Sequence, residues 1–431
     1  MWRRLFARNV LQMKFEKGSI RRSLYYSILD GLFAAMMMGV SECYLIPYGI
    51  ALGATAHQVM YLASIPMLVG AILQTYSARI TQSIGSRLKL INVVVFLHAL
   101  SWLPVILIPY VFRGRPALMP WMLLIAATIL TSCFAFAGPA WQSLMSDYIP
   151  VKKRGKYFGW RNRLQGILTV AVSIAAGLTL HYFGKENIVG FTLIFVFAMT
   201  CRFYSWICLT KMKEPFRHTS HDVYFSFIDF LKQFRSHSTV PADRGNFARF
   251  VTFVSLMSLS VNISGPLLAF FILKDLGYSY ASYMVVVTTA SLSGFLFQGI
   301  WGKLGDRDGN VKILRIAGWG IAVVPFFWMI SRNLGYLFFV QIAAGCVWGG
   351  FTLLTSNFVL EALPPSIRIR GTSYFNIINS SAMLLGSAIG GLLFQHIPPI
   401  FGYSFLTLFL ISCVGRLAVM KWVSPRVKEI R

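Results

Sequence analysis

Apolar residues in this chain gather into long unbroken runs instead of alternating with polar ones. Twelve such stretches lie at about 23–50, 58–78, 89–112, 117–146, 157–183, 188–210, 247–273, 280–301, 312–331, 335–361, 372–396 and 400–421, with short polar breaks between them. A hydrocarbon core about 30 Å thick needs roughly 20 apolar residues of helix, at about 1.5 Å of rise per residue. Inside lipid a spanning segment must satisfy its own backbone hydrogen bonds, which a helix does alone. The pattern therefore predicts an all-α polytopic membrane protein with twelve transmembrane helices. Composition agrees: 56% of the 431 residues are hydrophobic and 13% charged.

Charge changes the picture more. A net charge of +26 would suggest nucleic acid in a soluble protein. Here its placement decides the matter. Of 40 Lys and Arg, 33 lie in the two tails and in the loops after even-numbered stretches, counting residues just inside each helix end. The opposite loops hold five, Arg113, Arg115, Lys185, Lys274 and Arg332, while Arg202 and Arg416 lie inside stretches. This is the positive-inside pattern, so both termini are expected in the cytoplasm and no nucleic-acid partner is expected. Anionic lipids on the cytoplasmic side are the expected bilayer partner, and a bacterial inner (plasma) membrane is the expected location. The six cysteines all fall in apolar stretches with no CxxC or metal-ligand spacing, so neither a disulfide framework nor a metal or other cofactor is expected. Residues 1–22 are basic but lack the apolar core of a secretory signal and read as a cytoplasmic segment.

The chain also repeats itself. Shifted by 224, Leu52-Gly53 falls on Leu276-Gly277, Gln74 on Gln298 and Gly85 on Gly309. Shifted by 214, Asp147 falls on Glu361, Pro150 on Pro364, Arg154 on Arg368 and Arg202 on Arg416. These matches point to two six-helix bundles, 23–210 and 247–421. Between them lies a polar linker, 211–246, in which Tyr224, Phe227, Ile228, Leu231 and Phe234 form one helical stripe suited to the membrane surface. A short tail, 422–431, closes the chain.

The densest polar break is GKLGDRDGNVKIL, residues 302–314, which reads as a short cytoplasmic turn between the eighth and ninth helices. Its Gly302, Asp306, Arg307 and Gly309, with Lys312 after them, resemble the loop motif of the major facilitator superfamily. The first-half counterpart, 78–90, resembles a degraded copy that keeps Gly85, Arg87 and Lys89 but has Gln82 where that family usually has aspartate. SDYIPVKKRGKYFG (146–159) and EALPPSIRIRGTSYF (361–375) are similar to the same family's acid-then-Arg-Gly loops, with Asp147 and Arg154, and Glu361 and Arg368, as the charged members. The resemblance implies two pseudo-symmetric six-helix bundles, and these loop residues as gates between them. It also implies alternating access about a site near the midplane, with the first, fourth, seventh and tenth helices closest to the cavity.

Substrate or coupling candidates follow from the cost of polar groups in a membrane. Glu42 is the one acid well inside a stretch and suits either a proton carrier or a structural acid near the external mouth. Tyr44, Gln142, Asn262, Asn357, Asn376 and Asn379 are polar or aromatic candidates for the cavity, and interhelical hydrogen bonds would explain the amides equally well. Trp141 and Trp348 are further stacking candidates, and the symmetric Gln74 and Gln298 suit packing. Asp30 is expected to be structural, stabilised near a helix start, and Arg202 and Arg416 to snorkel to headgroups or pin a loop. Arg161 and Arg163 stand at the cytoplasmic start of the fifth helix, where they can meet an anionic solute or merely set topology. Gly386-x-x-x-Gly390 and Ala171-x-x-x-Ala175 are expected at close helix contacts. No nucleophile–base pair, HExxH or phosphate loop is present, so an enzyme is not expected. The expected function is a monomeric secondary transporter of a small solute, as a proton symporter if Glu42 titrates. The alternative is a non-transporting receptor or assembly factor.

Overall fold

The computed structural model of the protein describes residues 18–41, 44–149, 151–184, 188–214, 242–363 and 368–429. Residues 1–17 and the surface stripe at Tyr224–Phe234 lie outside them. Among the described residues, twelve helices are long and apolar enough to cross a membrane. They are α1 (Ile20–Ala51), α2 (Ala56–Gln74), α3 (Arg87–Val111), α4 (Pro116–Met145), α5 (Trp160–Phe183), α6 (Ile188–Thr210), α7 (Gly245–Asp275), α8 (Tyr280–Asp308), α9 (Asn310–Ile330), α10 (Leu334–Ala362), α11 (Arg370–His396) and α12 (Ser404–Arg426). Each coincides with a stretch expected from the apolar pattern.

The repeat holds in the backbone. Gly53 and Gly277, matched by the 224 shift, both have positive φ, at 88° and 68°. Gly85 and Gly309 do likewise, at 72° and 97°. Both pairs turn the chain into the next helix, where a Cβ would be strained. Helix packing repeats as well: α1 against α5 and α6 matches α7 against α11 and α12, and α2 and α3 against α4 match α8 and α9 against α10. The two main packings between the halves are α2 with α11 and α5 with α8, each the image of the other, and the loop-face ends of α1 and α2 also touch α7.

One expectation needs correction. Residues 302–314 are not a short turn: α8 continues helical to Asp308, Gly309 alone makes the corner, and α9 starts at Asn310. The reason is local packing. Gly305 is buried, and a Cβ there would lie 2.7 Å from Leu354 Cδ2 and 2.8 Å from Asn310 Oδ1. The glycine serves close approach inside a helix, while only Gly309 serves the bend. In the first half the same corner is looser: a short helix, Ser77–Ile84, intervenes before Gly85, and Ser86 caps α3 by accepting from the Lys89 N–H.

Small residues set the closest approaches, as expected where helices pack without a hydrophobic drive. A Cβ at Gly345 of α10 would lie 2.0 Å from the Ala290 carbonyl oxygen of α8. Gly386 and Gly390 of α11 meet the carbonyls of Leu259 and Ile263 on α7 as expected. Ala171 and Ala175 do not form a contact face: both are exposed, and α5 instead turns Thr169 and Ser173 to α1. Their hydroxyls reach the Ala35 and Gly39 carbonyls, which the alanines cannot do.

The apolar core is distributed unevenly along the membrane normal. On the face away from the termini, called here the loop face, one cluster runs through both halves, from Tyr44, Tyr48 and Met60 to Phe271, Tyr280 and Met284. On the terminus face each half has its own cluster, one around Leu90, Leu144 and Tyr148, the other around Phe250, Phe358 and Leu314.

Candidate functional site

A cavity of about 360 Å³ lies between the halves at mid-depth. Its walls come from the middles of four helices, two from each half: Met38 (α1), Thr169 and Ser173 (α5), Thr288, Phe295 and Gln298 (α8), and Trp348 and Thr352 (α10) are among its lining residues. That size and position suit a small-molecule site. Among the described lining residues none is ionisable. Several hydroxyls already spend their single proton on the backbone: Thr169 donates to the Ala35 carbonyl at 3.1 Å, Ser173 to that of Gly39 at 2.5 Å, Thr288 to that of Met284 and Ser291 to that of Val287. The first two bonds fix α5 against α1, the last two stay within α8, and all four leave only lone pairs facing the cavity.

Tyr44 closes the loop-face side of this space. Its ring is fully buried and its hydroxyl donates to the Ser173 carbonyl at 2.6 Å. It belongs to the seal, and not to the cavity wall. The other polar candidates also fall elsewhere. Gln142 is exposed on α4, and Asn262 turns back on its own helix, donating to the Ser258 carbonyl. Asn357 is half-buried on α10. Asn376 reaches Gln74 across the α2–α11 contact at 3.5 Å, and Asn379 donates to Met383 Sδ. Glu42 lies outside the described residues. Of the residues singled out from sequence, Trp348 and Gln298 do line the cavity. The serines and threonines were missed because single hydroxyls are common in apolar helices; the legible signal was their four-residue spacing on α5.

A chain of buried polar side chains crosses the first bundle. Arg202 on α6 donates through Nε to His98 Nδ1 on α3 at 2.8 Å and through Nη1 to Ser205 Oγ. Ser205 in turn donates to Asp30 Oδ1 on α1 at 2.6 Å, and Arg161 on α5 lies 4.0 Å from Asp30 Oδ2 with its guanidinium 4.5 Å over the Trp141 ring of α4. Gly31 makes room for this: a Cβ there would lie 2.0 Å from Gln165 and 2.5 Å from Arg161. Two expectations change here. Asp30 is not near a helix start, since its helix begins at Gly18, and its charge is met by arginines instead of by the helix dipole. Arg202 and Arg416 do not snorkel; each is 5% exposed and points inward, Arg416 to Ser412 and the Ile321 carbonyl. Such internal partners remove the need to reach water.

The terminus face carries two related clusters. In the first half Arg87, 2% exposed, sits between Asp147 at 2.6 Å and Glu214 at 2.9 Å and donates to Ser143. Glu214 also accepts from Ser86 Oγ and from the Arg87 and Leu88 N–H groups, so a carboxylate occupies the positive end of α3. Burial alone would raise the Glu214 pKa, but these hydrogen bonds outweigh it and hold the carboxyl below its ordinary value. In the second half Glu429 accepts from the Asn310 and Val311 N–H groups at 2.8 Å, and Asn310 Nδ2 donates to Glu361 at 2.6 Å. Asn310 thus takes the part of Arg87 in joining the two acids, one position before Val311, on which the 224 shift places Arg87. Asp147 takes Arg87 as its partner; the side chains of Arg154 and Arg368 lie outside the described ones. Asp306 is exposed on the last turn of α8 with no ion pair among the described residues, while Arg307 pairs with its neighbour Asp308 at 2.8 Å on the surface. Gly302 is helical and Gly309 is the corner. The acids that close these clusters, Glu214 and Glu429, were missed; the signal was a Lys-Glu pair just after each bundle, at 213–214 and 428–429.

Comparison with known proteins fits this geometry. The model of the Major Facilitator Superfamily matches residues 28–256 and 250–431. An uncharacterized MFS-type transporter, YuxJ of Bacillus subtilis (strain 168), is 33% identical over 126 residues, which is 28% of this chain and 30% of that protein. The arabinose-proton symporter of the same organism is 32% identical over 127 residues, 27% of each. The shared stretches thus span less than a third of these curated relatives. Over nearly the whole chain the fold resembles two solved structures. The D-xylose-proton symporter has a TM-score of 0.68 at 13% identity, covering 95% of this chain and 98% of that one. The nucleoside transporter NupG has 0.67 at 12% identity, covering 96% and 100%.

Proposed function

The chain belongs to the Major Facilitator Superfamily, and on that premise we propose that it is a secondary transporter whose two bundles rock about the midplane cavity, exposing a small solute first to one side of the membrane and then to the other. The observation that carries this reading is the uneven core. One apolar cluster bridges the bundles on the loop face, while separate clusters serve them on the terminus face. A rocking transporter caught with one gate shut has this arrangement. With the termini in the cytoplasm, as the charge distribution expects, this is the inward-facing conformer.

Asp30 supports proton coupling within this reading. It is 4% exposed and lies between Arg161, on a cavity-lining helix, and the Ser205–Arg202 pair on a peripheral one. Taking up a proton would cancel its attraction for Arg161 and loosen α1 against α5. That is a way for a titration to reach the cavity wall. The named relatives include sugar symporters and a nucleoside transporter, which supports transport without choosing a solute.

The test is solute exchange and proton flux in proteoliposomes holding the purified protein, with a broad solute library and an internal pH dye. Wild type should exchange a solute and move protons with it, and Asp30→Asn should keep exchange while losing solute-driven proton movement. Proton movement unchanged in Asp30→Asn would remove the coupling role but leave transport. Binding without any exchange would point instead to a receptor or assembly factor.

A further inference from the structure

We propose that the midplane cavity takes an uncharged, largely apolar, ring-bearing solute with few hydrogen-bonding groups, in place of a polyol or an ion; this deepens the transport reading and rests on it. The first argument is charge. No described lining residue is ionisable, so a carboxylate or ammonium placed there would give up hydration with no counter-charge beside it among the described residues. The buried charges of the first bundle do not fill that role, because Asp30 and Arg202 are already bonded, both to Ser205 and Arg202 also to His98. Arg161 is engaged by Gln165, by the Ser27 carbonyl and by the Trp141 ring.

The second argument is the supply of hydrogen-bond donors. A hydroxyl has one proton, and those of Thr169 and Ser173 are committed to α1 carbonyls. The remaining donors are the Gln298 amide on α8 and the Trp348 indole and Thr352 hydroxyl on α10, which share one face of the cavity. None of the three side chains has a hydrogen bond among the described residues. The opposite wall of Met38, Thr169, Val170 and Ser173 offers two hydroxyl oxygens as acceptors but no uncommitted side-chain donor, so a sugar, with hydroxyls on every side, would leave much of its accepting capacity unmet there. A solute with one polar edge fits better. Its edge meets Gln298 and Thr352, and its ring lies between Phe295 and Trp348, where offset or edge-on aromatic contact is favourable.

The experiment is thermal unfolding of the purified full-length protein against four probe sets. Three share ring scaffolds and carry side groups of similar size but different charge: neutral amides, carboxylates and amines, as in indole-3-acetamide, indole-3-acetate and tryptamine. The fourth is a set of sugars and sugar alcohols. The expected result is stabilisation confined to neutral ring compounds, weakened about tenfold or more in apparent affinity by Trp348→Ala and by Gln298→Ala. Thr352→Lys should move the preference to the carboxylates. Stabilisation confined to carboxylates, amines or polyols overturns the substrate class and leaves transport standing. No stabilisation by any set, in a protein that still unfolds cooperatively, counts against both.

Discussion

Taking the guanidinium out from between two carboxylates leaves the part-buried Glu214 without its cation and facing Asp147, whose exposed side chain keeps its water, so the cost of truncating Arg87 falls chiefly on Glu214. Arg87→Met should destabilise the protein by about 1–3 kcal/mol, read as a fall in the thermal midpoint at pH 7. Its signature is in the pH dependence. Glu214 has a folded-state pKa below its ordinary 4.5, so its contribution is complete above that value and fades as pH falls through the folded pKa. Wild type should therefore lose stability below about pH 4.5, and Arg87→Met should lose somewhat less over the same range, since the Arg87 side chain, after the Ser86 hydroxyl, is one of the groups that hold Glu214 down. Equal acid slopes in the two proteins would show that Arg87 does not set the Glu214 titration. From sequence, Arg87 is visible as a survivor of a loop motif. Its central position is not, because Glu214 lies 127 positions away and an exposed-looking Lys-Glu pair reads as an ordinary loop. The second half shows the same limit, since nothing local marks Asn310 as the counterpart of a buried arginine.

At the level of elements the sequence was most informative, and for a physical reason. Lipid allows few spanning structures, so length and hydropathy alone located all twelve helices. What they could not locate was where a polar helix end stops, as the extension of α8 to Asp308 shows. Periodicity also misjudged which small residues make contacts. Gly345 and Gly299 separate the two cases. A Cβ at Gly345 would collide with the Ala290 carbonyl at 2.0 Å, whereas one at Gly299 would meet nothing within 4 Å. Gly345→Leu should push α10 from α8 and lower the thermal midpoint and the monodisperse yield sharply. Gly299→Ala should leave both unchanged or raise stability by up to about 1 kcal/mol through helix propensity. Equal behaviour of the two variants would contradict the α8–α10 packing that shapes one wall of the cavity.

At the scale of the whole molecule, rocking requires that the helices joining the bundles can part at the loop face. The hydrogen bond between His57 Nδ1 on α2 and Gln395 Nε2 on α11, 3.0 Å long, lies at that end, and the His57 ring rests on Gly391. A covalent link there should hold the terminus-open conformer. In a background with the six native cysteines replaced, His57→Cys with Gln395→Cys should cross-link in high yield with a short bifunctional thiol reagent, without solute. Solute exchange should then stop, and should return when a reducible version of the linker is cleaved. A third cysteine at Ser291, installed as Ser291→Cys and labelled after cross-linking, should react from the terminus side of oriented proteoliposomes and not from the loop side. Damage to the protein would also give arrest, but not arrest with one-sided access to the cavity. Exchange continuing through the cross-linked protein would mean that α2 and α11 need not separate there, and the uneven core would then describe how the bundles are held together and not how they move.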